Sequence, residues 1–206
     1  MFFLFIVCFG LHLYAIGQGT FGLKAGVNLS NQTKTFTTTQ NSSAQKQETK
    51  PLLGYQVGSF FKAKMSSKLT FSAEVNFSLI GSKTKYVTET QLLNPDGRTH
   101  YYNDKLGYIE VPVTVQYNFT RLYVGAGPGI GFKVYSRITN FENRSYQSDL
   151  YKALDATANI LLGYKVSKKC DVNFRSSHGL LNIHQQHEYA KTKNRFLNLS
   201  LLYSLK

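Results

Sequence analysis

Two neighbouring stretches, residues 108–117 and 122–135, alternate apolar with small or polar side chains, and a period of two over that length restricts a chain to β-strands with two different faces. In the first, Ile109, Val111, Val113, Val115 and Tyr117 alternate with Tyr108, Glu110, Pro112, Thr114 and Gln116. In the second, Leu122, Val124, Ala126, Pro128, Ile130, Phe132 and Val134 alternate with a ladder of Gly125, Gly127, Gly129 and Gly131. The same alternation recurs over residues 20–29, 52–63, 69–79, 154–166 and 197–205, and least regularly over 171–182, where Ser176 and His178 interrupt the apolar face. Eight strands follow, and the expected fold is all-β: an eight-stranded antiparallel up-and-down barrel.

The connections carry the next step. Polar stretches at about residues 30–51, 82–105, 136–151 and 183–194 read as long loops, and they alternate with tight turns at residues 64–68, 118–121 and 167–170. A soluble barrel has no reason to alternate long and short connections so regularly, whereas a transmembrane β-barrel of the outer-membrane type does. Short turns then face the periplasm and four loops face outward. Tyr117, Tyr164 and Tyr203 fall near the turn rim and Tyr55 and Phe132 near the loop rim, as candidate aromatic girdles. Residues 1–17 are continuously apolar, too short for a spanning helix of roughly 20 residues, and read as a signal peptide cut after Gly17. The barrel domain is then 18–206. Cys8 lacks the small preceding residue that lipidation needs, and removal of the signal leaves Cys170 with no cysteine to pair with.

Alternation does not say which face is inside, because a soluble lipocalin-like carrier would show the same pattern with its apolar side buried. The polar face decides. It is mostly Gly, Ser, Thr and Asn with few charges, which suits the cramped interior of an eight-stranded barrel better than a water-facing surface. Its ionisable residues, Lys24, Lys62, Lys133, Lys165 and Arg175 against Glu74, Glu110 and Asp155, are expected to pair inside, since isolated buried charges are costly. Such a network reads as a polar plug in preference to an ion path.

The chain carries 24 Lys and Arg against 11 Asp and Glu, a formal net charge of +13, so an exported protein of this kind is drawn to anionic head groups. The expected partners are outer-membrane lipids and lipopolysaccharide, met by Lys34, Lys50, Lys83, Lys85, Arg137, Arg144, Lys191 and Lys193 near the rims. No nucleic-acid-binding motif is present. Ser176 and His178, on the apolar face of the seventh strand, bring to mind a lipid hydrolase, but the order of the two residues is the reverse of that in such enzymes. His184, His187 and Glu188 fit no helix-borne zinc spacing. No catalytic, cofactor or metal residues are assigned. Pro112, which has no N–H for a ladder, is expected to mark a bulge or local break.

Gly22-x-Lys24-x-Gly26-x-Asn28-x-Ser30-Asn31, Tyr108-Ile109-Glu110-Val111-Pro112, residues 122–128, Asp155 through Gly163, and Arg175 through Ile183 form a set of segments. Together they resemble the PorT-like outer-membrane β-barrel family of the Bacteroidetes. Lys206 departs from the terminal aromatic of that family. The resemblance implies an outer-membrane location and an eight-stranded barrel, and some members are linked to protein secretion and gliding. The function expected is that of a monomeric, non-enzymatic outer-membrane protein acting structurally or through its four outer loops. An accessory subunit of a secretion or adhesion machinery is the alternative.

Overall fold

The eight alternating stretches each form a strand, and the strands close on themselves. The computed structural model describes residues 19–37, 44–86, 100–139, 145–147, 150–185 and 190–205. The expected signal peptide, Arg144, His187 and Glu188 lie outside these. In chain order the strands are β1 (Gly19–Thr37), β2 (Ala44–Gln47), β3 (Thr49–Lys64), β4 (Leu69–Tyr86), β5 (His100–Asn118), β6 (Leu122–Thr139), β7 (Ser145–Gln147), β8 (Leu154–Lys165), β9 (Cys170–Gly179) and β10 (Ala190–Ser204). The short β2 and β7 lengthen hairpins against β1 and β6. The other eight pair antiparallel with their neighbours, and β10 returns to β1 from Gly22↔Ser204 to Phe36↔Ala190. Closure joins the first and last strands of the ring, the condition for β-structure to cross hydrocarbon.

Burial fixes the orientation. Leu199 is 51% and Val124 41% exposed, whereas Lys24 is 2% and Asn28 0% exposed. The greasy side chains look out and the polar ones in, so the chain is a transmembrane barrel and not a soluble carrier with a dry apolar centre. Tyr117, Tyr164, Tyr203, Tyr55 and Phe132 all point outward.

At one end the turns are tight and built alike. Ser66 and Ser167 each accept through Oγ from the backbone N–H groups two and three residues on, Lys68 and Leu69 in one case and Lys169 and Cys170 in the other. The hydroxyl thereby satisfies donors that a short reversal would leave unpaired.

The other end differs from expectation. Much of what reads as loop is strand: β1 runs on to Thr37, β4 to Tyr86 and β6 to Thr139, while β3, β5 and β10 begin at Thr49, His100 and Ala190. The barrel wall rises beyond the lipid belt. Its chemistry inverts on the way, with Ile80, Leu106, Ile138 and Phe196 turned inward while Lys83, Arg137 and Arg195 face out. Outside the bilayer water replaces lipid, so burying apolar side chains in the lumen becomes favourable again. Burial keeps its period of two there, but hydrophobicity changes phase.

Register irregularities lie between Gly107 and Tyr108 of β5 and between Pro51 and Gln56 of β3. Pro112 makes a local break without a shift: the β4–β5 ladder skips from Ala73↔Val113 to Asn76↔Glu110 at constant register.

The glycine ladder permits close approach of strands. A Cβ at Gly127 would stand 2.0 Å from the Val113 carbonyl oxygen, which is backbone and has no rotamer to escape into.

Two outcomes test this arrangement in urea unfolding from lipid vesicles. Leu199→Arg, at mid-strand on the lipid face, is expected to cost about 2–4 kcal/mol. Gly127→Ala is expected to cost about 1–3 kcal/mol through backbone displacement. Because the chain has no Trp, heat-modifiable gel mobility is the suitable readout.

Candidate functional site

The lumen is filled in layers. Nearest the tight turns, Lys62 Nζ on β3 lies 2.6 Å from an Asp171 carboxylate oxygen on β9 and stacks over the rings of Phe60 and Tyr123, 5.1 and 4.9 Å from their centroids. Above it Glu74 on β4 takes two cations at once. Lys24 Nζ on β1 donates to Oε2 at 2.9 Å, the Arg175 guanidinium on β9 donates to Oε1, and Asn76 Nδ2 donates to Oε2 at 3.0 Å. All three charged side chains are at most 2% exposed. A carboxylate that receives a charge-assisted bond on each oxygen is well matched to two buried bases.

The next layer is built of amides and hydroxyls. Glu110 accepts from Ser78 Oγ and, at 3.3 Å, from Gln56 Nε2. Asn198 donates to Asn28, Ser200 donates to Asn198, and Ser177 donates to Asn159 at 2.7 Å. Asp155 accepts from Asn194 Nδ2 at 2.8 Å, and Asn194 in turn accepts from Gln32 at 3.0 Å.

Toward the outer mouth lies an apolar cluster of Ile80, Leu106, Tyr108, Tyr151, Ile183 and Phe196. Tyr151 and Ile183 come from the connections into β8 and out of β9. These connections are held together by Lys152 N–H donating to the Ile183 carbonyl and Gln185 N–H donating to that of Leu150, at 2.7 and 3.0 Å. Lys34 sits beside the cluster, ion-paired to Asp104 and donating to Thr84 Oγ1 at 2.9 Å and Tyr151 Oη at 3.1 Å.

Several residues are placed differently from the sequence reading. Glu110 and Asp155 meet hydroxyls and amides where bases were expected, because Lys24 and Arg175 converge on Glu74. Lys133 donates to the Tyr151 carbonyl, and Lys165 is half-buried at the turn end of β8. Lys34, expected at the rim against phosphate, points into the lumen because β1 continues past residue 30 with even-numbered side chains inward. Asp171 and Asp104 were missed as partners. Each lies at the margin of its alternating stretch, where the apolar signal fades, although continued alternation from Tyr108 would have turned Asp104 inward. Lys50, Lys83, Arg137, Lys191 and Lys193 are exposed, and Lys85 pairs with Glu48 at 3.3 Å.

On the lipid-facing side Ser176 Oγ lies 3.1 Å from His178 Nε2. Ser176 is in mid-strand, paired to Leu197 on β10 and Ile160 on β8, so its neighbouring backbone groups are engaged in the ladders. An oxyanion hole needs donors aimed at the reacting oxygen, and this stretch of backbone has none to spare. His184 is half-buried, its ring 6.3 Å from that of Tyr151.

The sequence model of the family described as outer membrane protein beta-barrel domain matches residues 18–185. No curated protein matches the chain. Among solved structures, Neisserial surface protein A is 10% identical over 90% of this chain and 97% of that one, with a TM-score of 0.49. Ail, the attachment invasion locus protein of Yersinia pestis, is 10% identical over 91% and 99%, with a TM-score of 0.46. OprG from Pseudomonas aeruginosa is 10% identical over 91% and 96%, with a TM-score of 0.45.

The Glu74 cluster yields a test of the lumen. Glu74→Ala strands Lys24 and Arg175 without a counter-charge and is expected to cost about 3–5 kcal/mol in urea unfolding from vesicles. The combined replacement K24M/E74L/R175M removes the charges together and is expected to recover most of that loss.

Proposed function

The chain belongs to the outer membrane protein beta-barrel domain family and resides in the cell outer membrane, and from that premise we propose that it is a sealed, non-enzymatic barrel that displays its outer strand ends for contact with other molecules. The observation that carries this reading is the layered lumen. A route through it would have to part the Lys24–Glu74–Arg175 cluster and then the apolar layer around Leu106, which is 0% exposed. Eight-stranded barrels are just wide enough to be filled by their own side chains. The Ser176–His178 pair supports no acyl-transfer role, since a nucleophile also needs preorganised stabilisation of the developing oxyanion. What is left for interaction is the exterior above the lipid belt, where β1, β4, β5, β6 and β10 continue as ordered wall.

The reading is tested by reconstitution. Purified protein in planar bilayers is expected to give no steady ion conductance. S176A and H178A are expected to leave the composition of a phospholipid and lipid A mixture unchanged from that with the parent protein. Steady conductance, or acyl chain release that the two substitutions abolish, would replace this proposal with a channel or a hydrolase.

A further inference from the structure

The outward face of β10 changes character above Leu197. Leu197, Leu199, Leu201 and Tyr203 look toward lipid, and the next three outward positions are Arg195, Lys193 and Lys191, all exposed. Their cross-strand neighbours on β1 are uncharged, Asn31, Thr33 and Thr35, and β9 places His178 opposite Arg195. Among the described residues none of the three cations forms a salt bridge. Alternate residues of a strand stand roughly 7 Å apart, so like charges repel along this row; Glu48 shares a pocket with Arg195 at its foot but is paired with Lys85.

At the foot of the row lies a groove of about 240 Å³ between Leu29 and Leu197, with Asn31, Ser176, His178 and Arg195 among its lining residues. Its apolar part continues into the lipid belt and its polar part into the cation row. The hydrogen-bonded Ser176–His178 pair is therefore set where an acyl chain would give way to a headgroup.

We infer that this face binds the phosphorylated headgroup of an outer-leaflet lipid. Phosphate oxygens are held by Arg195 and Lys193, with Lys191 reaching a second phosphate and His178 and Asn31 contacting the adjoining polar groups. The acyl chains descend along Leu197 and Leu199. Charge complementarity calls for an anion, and continuity with the lipid belt calls for an acylated one. Across the barrel Lys83, Lys105 and Arg137 supply the same charge at the same rim, but beside Tyr135 and without the Ser176–His178 pair.

The test uses that symmetry of charge. The full chain in non-ionic detergent is titrated with diphosphoryl lipid A, and the single-lipid adduct is measured by native mass spectrometry. Each cation near an anionic lipid contributes about fivefold, so K191Q/K193Q/R195Q is expected to weaken binding about 100-fold. R195Q alone is expected to weaken it about fivefold, and this milder variant serves if the triple one fails to fold. K83Q/K105Q/R137Q should stay within twofold of the parent, dephosphorylated lipid A should bind as poorly as to the row variant, and inorganic phosphate should not compete. Equal weakening by both triple variants would reduce the effect to general charge attraction. Unchanged binding in the row variants, or displacement by inorganic phosphate, would also overturn the inference.

Discussion

Backbone closure is the constraint from which the rest follows. Inside hydrocarbon no water is available to an unpaired N–H or carbonyl, and each one left open costs several kcal/mol. The β1–β10 ladder, fifteen residue pairs from Gly22↔Ser204 to Phe36↔Ala190, removes the two edges that an open sheet would expose. Once the sheet is a ring, every residue is assigned to one of two environments by parity alone. The chain then has to supply lipid-compatible side chains at one parity and self-satisfying ones at the other.

Lipid on the outside removes the usual incentive to collapse, because acyl tails solvate Leu and Val as well as a protein core does. What distinguishes the folded lumen is specific matching: Glu74 between two cations, Asp171 with Lys62, and amide chains such as Gln32–Asn194–Asp155. Removing one partner from such a set is costly even where replacing the whole set would not be. Above the bilayer the incentive returns, and the lumen there holds Ile80, Leu106, Ile183 and Phe196 beside the single Lys34–Asp104 pair described at that level. One set of strands thus carries an inverted core and an ordinary one, stacked along the same axis.

This stacking explains what the sequence discloses. Within the belt, parity and hydrophobicity coincide, so Val111, Val124 and Leu199 declare both the strand and its orientation. Above the belt they separate: Gln32 and Lys34 face in while Asn31 and Thr33 face out, and all four are polar. A reader of hydrophobicity sees a loop where the backbone sees a strand. Pairing across the lumen is hidden for a different reason. Whether Glu110 meets a base or Ser78 depends on barrel closure and the height of non-adjacent strands, neither of which is written in any local window. Lys34 and Asp104, 70 residues apart, meet only because two long strands rise to the same level.

Pairing of lumen side chains with one another separates stability from surface chemistry. Glu74 is coupled to Lys24 and Arg175 on two other strands, so Arg175 or Glu74 cannot change alone without leaving a charge stranded. Outward positions above the lipid belt have no such obligation. Across the ladders Lys191, Lys193 and Arg195 lie opposite Thr35, Thr33, Asn31 and His178, Arg195 also shares a pocket with Glu48, and the alternate positions Thr192, Asn194 and Phe196 face inward. Like charges along one strand face do not stabilise one another, and mixed charge would serve solubility as well. It is this row that the proposed headgroup site draws on.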